Sequence, residues 1–324
     1  MRALWGTLSE ALERHHAVGL VTVTRVRGSG PREPGARMIV LPDGDIRGTI
    51  GGGTLEFQAL QIARDAVNAR KSKRLWHSFA LGPDLGQCCG GAVEVLIEAF
   101  TSLDLRMIQD FADAEATGEF ALRSSHSSGA PTRVIAEYGG GDTIQLDGDT
   151  LIESFSSDDT PVAIFGAGHV GRALVLALAP LPFSVEWFDS RIESFPRLTP
   201  QNTTKRHLAE PWETVACLVP GTLSLVMTHS HPLDLTLCDA LLKRDDMPFI
   251  GLIGSKTKKK RFYSQLRDLS HMQPEIDRIT CPIGLSQISD KQPAAIAASV
   301  AAQLLIKREE LAAVQSPRNA MAEA

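Results

Sequence analysis

The stretch Val162-Ala163-Ile164-Phe165-Gly166-Ala167-Gly168-His169-Val170-Gly171 decides the fold of the second half of this chain. A short apolar run predicts a buried strand, and Gly166, Gly168 and Gly171 complete a G-x-G-x-x-G pattern that opens a helix. This order of strand, turn and helix is the context that the dinucleotide-binding fingerprint requires. The same glycines also serve helix-sheet packing, so they predict a Rossmann fold more specifically than they predict its ligand.

Two residues near the fingerprint are candidate ligand contacts. Asp189 ends the next predicted strand, close to the spacing of about 20 residues at which an acid binds a ribose hydroxyl. His169 lies inside the phosphate turn, where it either contacts an anion or is simply exposed. The sequence therefore offers a nucleotide as one candidate ligand.

From Pro161 onward, short apolar strands alternate with helices, which favours an α/β fold with a doubly wound parallel sheet. We expect this Rossmann-like domain to span 161–313 and a frayed tail to span 314–324. The predicted elements are Val162 to Phe165, Arg172 to Leu178, Ser184 to Phe188, Thr222 to Met227, Leu235 to Lys243, Phe249 to Ile253 and Pro293 to Ala313.

The first 155 residues predict a separate, mixed α+β domain. Leu4 to His16 has helical spacing, Val18 to Val26 is rich in β-branched residues, and Arg37 to Ile50 looks like a hairpin. Residues 120–155 predict short strands. The polar stretch from Ser156 to Thr160 is the natural boundary between the two domains.

Gly51, Gly52 and Gly53 precede the helix that begins near Leu55. Uncovered backbone N–H groups at such a helix start could form an anion cradle, and a tight strand-to-helix turn is the alternative interpretation. The earlier loop from Gly28 to Arg32, together with Arg37, adds guanidinium groups suited to phosphate, or is a plain loop beside the hairpin.

The adjacent thiols of Cys88 and Cys89 lie in a glycine-flanked turn, Gln87-Cys88-Cys89-Gly90-Gly91. A buried structural cysteine usually stands singly in an apolar run, whereas this pair lies between flexible residues and has the chemistry of a soft ligand. A redox pair is the rival interpretation. The 5 cysteines are irregularly spaced, so they indicate a reducing compartment and not a disulfide framework.

Two further motifs follow predicted strands, where open α/β sheets bind ligands. His229, His231 and Asp234 lie in Thr228-His229-Ser230-His231-Pro232-Leu233-Asp234, which predicts a site or a helix-capping turn with equal weight. Ser255 and Lys256 could hold a phosphate. The basic run Lys258 to Arg261 predicts a solvated helix face or a docking patch for an acidic partner.

Composition excludes several classes of protein. The net charge of −5 over 324 residues gives no general footprint for nucleic acid or anionic membrane. No apolar run reaches the roughly 18 residues of a membrane span, and the N-terminus lacks the pattern of a signal peptide. We therefore expect a soluble, cytoplasmic protein.

Taken together, the motifs resemble the xanthine dehydrogenase accessory proteins of the XdhC/CoxI type. The resemblance spans nearly the whole chain in the right order. It rests on Gly28 to Arg32, Gly35 to Met38, Gly51 to Glu56, Gln87 to Gly91, Gly166 to Gly171, Thr228 to Asp234, Gly251 to Lys256 and Cys281 to Leu285 before Ile296 to Leu305.

This resemblance implies a chaperone, not an enzyme. It implies that the chain binds molybdenum cofactor (molybdopterin), protects it while a cysteine desulfurase partner supplies sulfur, and delivers it to the molybdenum subunit of apo xanthine dehydrogenase. It also implies a homodimer. Cys89, or else Cys88, is the residue expected to contact the cofactor.

Two other functions remain open at this point. A nicotinamide-dependent oxidoreductase would use the Rossmann domain and Asp189. A metal-dependent hydrolase would use His229, His231 and Asp234. The chaperone is the favoured hypothesis, because the motifs that carry the resemblance are together far more specific than any one of them.

Overall fold

The computed structural model describes residues 3–81, 91–126, 129, 132–138, 144–155 and 159–315. The chain divides into two compact units, Met1–Ser157 and Asp158–Ala324. Within the described residues, no helix is long and apolar enough to cross a membrane.

Unit 1 is built on an antiparallel sheet in the order β3-β2-β1-β5-β4. Its strands are β1 (Ala17–Arg27), β2 (Arg37–Val40), β3 (Ile46–Gly48), β4 (Lys73–Leu81) and β5 (Gly91–Thr101). The expected hairpin is present, with Met38 opposite Gly48 and Val40 opposite Ile46.

Both faces of β1 are buried, because side chains alternate across a strand and each face meets a different layer. Val21 and Val23 pack in the cluster that includes the apolar face of α2 (Gly53–Asn68). Leu20 packs on the opposite side with α1 (Leu4–Arg14) and α3 (Leu105–Thr117). Trp5 lies at the centre of that second cluster and is fully buried.

A second antiparallel sheet in unit 1 has the order β7-β6-β9-β8. Its strands are β6 (Phe120–Ser125), β7 (Arg133–Ala136), β8 (Ile144–Asp147) and β9 (Thr150–Phe155).

Buried charges join the two sheets of unit 1. Glu98 of β5 pairs with Arg74 of β4 and Arg133 of β7. Arg133 also pairs with Glu153 of β9, and Arg37 of β2 donates to the same carboxylate at 3.2 Å. Each of these side chains is at most 9% exposed.

Unit 2 contains a parallel sheet in the order β12-β11-β10-β13-β14-β15. Its strands are β10 (Thr160–Phe165), β11 (Phe183–Asp189), β12 (Thr203–His207), β13 (Leu223–Val226), β14 (Phe249–Leu252) and β15 (Ile279–Thr280). The predicted α/β class and doubly wound parallel sheet are therefore confirmed.

Helices cover both faces of the parallel sheet. α4 (His169–Leu178) and α8 (Pro293–Gln315) pack on one face with Val162 and Ile164 of β10. α5 (His231–Leu242) and α6 (Lys256–Asp268) pack on the other face, and a short helix, α7 (Gln273–Ile276), follows them. β10 lies in the middle, with β11 on one side and β13 on the other. Such a change in strand order leaves a crevice at the carboxyl ends of the strands.

Candidate functional site

The three glycines of the fingerprint have different structural roles. A Cβ on Gly166, whose φ is +127°, would lie 2.3 Å from the Met227 carbonyl oxygen. A Cβ on Gly171 would lie 2.1 Å from the Gly166 carbonyl oxygen. These two glycines are required by the packing of the turn itself. A Cβ on Gly168 would meet no atom within 4 Å, so this position is open to a ligand.

His169 is the first residue of α4, and its side chain is exposed beside Gly168. The positive end of the α4 dipole therefore faces solvent at this point. His169 thus remains a candidate anion contact.

Asp189 is placed differently from a free ribose acceptor. Its Oδ2 accepts from the Ala167 N–H at 2.7 Å and from Arg191 Nη2 at 3.0 Å. Its Oδ1 accepts from the Arg191 N–H at 2.9 Å and from Arg191 Nε at 3.0 Å. Burial pushes the pKa of Asp189 up, but these hydrogen bonds hold the pKa below its ordinary value. The carboxylate is thus ionised and already accepts four hydrogen bonds.

A cleft opens at the carboxyl ends of β10, β11 and β13. It is shallow: about 190 Å³ lies between its lining atoms, a figure that includes solvent at its mouth, and none of this space is wide enough to enclose a water molecule. The cleft is lined by Phe165, Gly166, Phe188, Asp189, Ser190, Pro211, Thr228, His229 and Leu233. The walls are largely apolar, and the polar groups come from the ends of β11 and β13.

The His-x-His motif after β13 forms a helix-capping turn. Ser230 is the N-cap of α5, and its side chain accepts from the Leu233 N–H. The helix therefore begins at His231, earlier than the predicted Leu235, and Asp234 lies inside its first turn. His229 lines the cleft, and His231 Nδ1 lies 2.9 Å from Arg261 Nη2.

Asp234 is fully buried, so it does not face a ligand. Its Oδ1 accepts from the Thr228 N–H and hydroxyl, and its Oδ2 accepts from Lys258 Nζ at 2.6 Å. Among the described residues, which include the whole motif, no three His, Cys, Asp or Glu side chains are grouped to hold a metal ion. The metal-dependent hydrolase therefore has no support from this geometry.

The basic run at the start of α6 is not uniformly solvated, and the prediction was wrong for Lys258. Its ammonium group also donates to the Ile253 carbonyl at 2.8 Å, and the side chain as a whole is 10% exposed. Ser255 is the N-cap of α6 and accepts from the Lys258 N–H. Ser255 and Lys256 are both exposed, so they remain available to an anion.

The triglycine turn of unit 1 already contains an anion from its own chain. The Glu56 carboxylate accepts from the Ile50 N–H at 3.0 Å, from the Gly52 N–H at 3.2 Å and from the Thr49 hydroxyl. Partial burial raises the pKa of Glu56, and these hydrogen bonds outweigh it and lower the pKa. The predicted backbone cradle at Gly51 to Gly53 is thus largely occupied by Glu56.

The loop before β2 packs directly against this turn. A Cβ on Gly51 would lie 2.5 Å from Pro31 Cβ, so only glycine allows this approach. Arg32 follows Pro31 and points to the surface, where it pairs with Glu33 at 2.8 Å. Arg37 does not share this role, since it is buried over the Phe155 ring and paired with Glu153.

Gly91 starts β5 and fits closely against the same loop. A Cβ there would lie 2.5 Å from the Ser29 carbonyl oxygen and 2.6 Å from that of Arg27. Gln87, Cys88, Cys89 and Gly90 immediately precede Gly91 and lie outside the described residues. The described part of unit 1 thus joins three of the sequence motifs: the loop to Arg32, the triglycine turn and the start of β5.

Three cysteines lie within the described residues. Cys217 is exposed, whereas Cys238 and Cys281 are buried. Burial raises the pKa of both buried thiols, so each is a neutral packing group at physiological pH.

Sequence reasoning gave no role to two residues that shape these sites. Glu56 stands in the quoted motif Gly51 to Glu56, and its position in the first turn of a helix after glycines is a signal for a carboxylate that caps that turn. Arg191 stands two residues after Asp189, where a strand end brings the two side chains together.

The fold and these sites define a Rossmann-domain protein with a preceding α+β unit that carries a glycine-rich loop cluster. Comparison with known families agrees with this class. Residues 162–304 match the XdhC Rossmann domain, and residues 11–78 match the XdhC and CoxI family. The chain belongs to the XdhC and CoxI family, and the resemblance noted from its motifs is confirmed.

Two curated relatives cover most of the chain. An uncharacterized Escherichia coli protein, YqeB, is 28% identical over 299 residues, which is 90% of this chain and 44% of YqeB. The chain thus spans less than half the length of that relative. A Bacillus subtilis protein, named as a probable subunit of xanthine dehydrogenase, is 25% identical over 335 residues, with 95% of this chain and 98% of the relative covered.

A solved structure has the same overall fold. It is the crystal structure of a protein from Bacillus halodurans described as a xanthine dehydrogenase. The TM-score is 0.72 at 22% identity, and the match covers 100% of this chain and 98% of the other. At this level of identity the likeness concerns the fold alone.

Proposed function

We propose that this chain is a molybdenum cofactor-binding chaperone that acts in the maturation of xanthine dehydrogenase or a related molybdenum hydroxylase. Family membership supports the proposal, as does the name of the Bacillus subtilis relative. The observation that carries it is the packing of Gly51 against Pro31 and of Gly91 against Ser29, because this packing gathers the motifs of unit 1 at one place.

In this cluster a side chain is better placed than the backbone N–H groups to bind the phosphate of the cofactor. The Glu56 carboxylate already accepts hydrogen bonds from the Ile50 and Gly52 N–H groups, so the triglycine turn has few free backbone donors for a phosphate. The Arg32 side chain is 40% exposed, and its guanidinium pairs with the neighbouring Glu33. Because an exposed ion pair contributes about 0–1 kcal/mol, a phosphate can replace Glu33 at little cost. Arg32 would therefore hold the phosphate of the cofactor.

Cys88 and Cys89 would contact the other end of the cofactor. Thiolates are soft ligands, and the molybdenum and dithiolene groups are soft partners for them. Gln87 and Gly90 would shape the loop that carries the thiols. When bound, the cofactor supplies the molybdenum centre that the recipient enzyme needs, and this chain holds it without turnover.

Such a role requires protein partners. The terminal sulfur of the cofactor has to come from a donor, and a cysteine desulfurase supplies sulfur in the required form. Delivery requires docking to the molybdenum subunit of apo xanthine dehydrogenase. A homodimer is part of the proposal and follows from the family resemblance.

The test is mass spectrometry of the small molecules that co-purify with the full chain from a host that synthesises molybdopterin. We expect a molybdopterin species with the wild-type protein, and less of it with Cys88→Ala, Cys89→Ala or Arg32→Ala. Cys217→Ala is the matched control, because Cys217 is an exposed thiol that belongs to unit 2. Full retention in both cysteine variants and in the double variant would contradict the thiol role.

A further inference from the structure

The proposed cofactor site belongs to unit 1, whereas the cleft at the edge of the parallel sheet belongs to unit 2. It lies where β11 and β13 flank β10, which is the position at which open α/β sheets bind nucleotides. Gly168 leaves open space at the start of α4, although the packing of the turn does not require a glycine there. This feature is typical of a backbone that a ligand approaches closely.

The size of the cleft limits what it can enclose. Pockets that enclose drug-sized ligands measure about 300–1,000 Å³, whereas this cleft is a shallow depression with no enclosed space wide enough for a water molecule. A nucleotide would therefore lie along the exposed edge of the sheet, past Asp189 towards Gly168.

The state of Asp189 decides which ribose fits. A carboxylate offers about four lone-pair positions, and Asp189 already accepts four hydrogen bonds, three of them from Arg191. A ribose with free hydroxyls would have to displace Arg191 from a carboxylate that is 2% exposed. Asp189 therefore does not offer the free acceptor that a 2′-hydroxyl requires.

Arg191 offers the opposite chemistry at the same place. A guanidinium has five N–H groups, and two of those on Arg191 donate to Asp189. The Arg191 side chain is 35% exposed, so its other N–H groups can reach a ligand. Asp189 also fixes the guanidinium plane, which lowers the entropy that Arg191 loses on binding an anion. Glu193 is the nearby acid that opposes an anion.

We propose that unit 2 binds a nucleotide whose ribose carries a 2′-phosphate, of the NADP(H) class, with Arg191 as the group that receives this phosphate. The proposal concerns binding, and it stands or falls independently of the molybdenum cofactor. A guanidinium binds phosphate with two parallel hydrogen bonds, and such charge-assisted bonds are about twice as strong as neutral ones. A 2′-hydroxyl gains neither bond.

The test is calorimetry with the purified full chain and paired ligands: NADP⁺ against NAD⁺, and 2′,5′-ADP against 5′-ADP. We expect the 2′-phosphorylated ligand of each pair to bind at least about tenfold more tightly, a ratio that falls as salt is added. Equal affinities, tighter binding of the 2′-hydroxyl ligands, or no binding of either at millimolar concentration would overturn the proposal. This comparison needs no variant.

Three variants test which residue causes the preference for the 2′-phosphorylated ligand. Arg191→Ala should reduce the ratio to near one, and Arg191→Lys should keep part of it, because lysine retains the charge but lacks the planar fork. Arg206→Ala is the matched control, since Arg206 is exposed on β12 and paired with Glu186. It should leave the ratio unchanged. An unchanged ratio in folded Arg191→Ala or in Arg191→Lys would assign the phosphate to another residue and overturn the role of Arg191.

Discussion

Lys258 Nζ lies 2.6 Å from Asp234 Oδ2, and both side chains are nearly removed from solvent. The pair joins the first turn of α6 to the first turn of α5, at the carboxyl ends of β14 and β13. Thr228 donates to the other oxygen of Asp234, so the loop after β13 is held by the same carboxylate. This arrangement positions His229 at the cleft.

Lys258→Met should destabilise unit 2 by about 3–5 kcal/mol, because it leaves the Asp234 carboxylate buried without its counter-ion. Urea unfolding measures this change. The double variant Asp234→Asn with Lys258→Met should recover part of the loss, since no buried charge is then unpaired. Lys260→Met is the control, because Lys260 is an exposed residue of the same basic run. Similar stability of the Lys258→Met and Lys260→Met variants would show that the pair is not a structural link.

Alanine substitutions at the three fingerprint glycines should distinguish the glycines needed for packing from the one needed for ligand binding. Gly171→Ala and Gly166→Ala should each cost at least about 1–3 kcal/mol, because the new Cβ overlaps a carbonyl oxygen. Gly168→Ala should cost less than about 1 kcal/mol, because the space there is open and φ is −71°. Thermal unfolding of the three variants measures the order of their stabilities. Gly168→Ala should nevertheless weaken NADP⁺ binding, and unchanged binding would show that the ligand does not approach this position.

The sequence predicted the elements whose side chains follow a simple pattern. The four inner strands of the parallel sheet are largely buried, so β10, β11, β13 and β14 were predicted from their apolar runs. β12 was missed because it lies at the sheet edge, where Lys205 and Arg206 are exposed. Edge strands carry polar side chains that resemble a loop.

The side-chain pairs at the sites could be predicted only in part. Lys258 looked solvated among four consecutive basic residues, although it stands four positions before buried Phe262 and so shares its helix face. This helical periodicity could have predicted that Lys258 is partly buried. The pairing of Arg37 with Glu153 joins residues more than a hundred positions apart, and no local pattern in one sequence encodes it.

Glu56 should make the stability of unit 1 depend on pH. Its folded-state pKa is lowered from 4.5, so the folded form binds this proton less readily than the unfolded chain. Its contribution is therefore present above about pH 4.5 and is lost as the pH falls through the lower, folded-state pKa. The difference in unfolding free energy between the wild type and Glu56→Gln should shrink over that range. Glu119→Gln, at an exposed position, is the control; the same pH dependence in both variants would contradict the role of Glu56.

The buried charges of unit 1 provide a further test. Glu98 lies between Arg74 and Arg133, and all three side chains are at most 1% exposed. Glu98→Gln keeps the shape of the side chain but removes the negative charge that pairs with Arg74 and Arg133. Removal of one partner from a buried ion pair costs about 3–5 kcal/mol. We therefore expect a loss of that size in the stability of unit 1.

Amide hydrogen exchange followed by mass spectrometry can assign this loss to unit 1. Protection should fall in β1 and β5 of the Glu98→Gln variant, while β10 and β13 of unit 2 should keep theirs. A second variant separates charge from packing: Glu98→Leu combined with Arg133→Met should cost less than the sum of its two single changes, because apolar groups then replace both ions. Additive losses would mean that Glu98 and Arg133 do not stabilise one another and that the two sheets are held together by their apolar contacts.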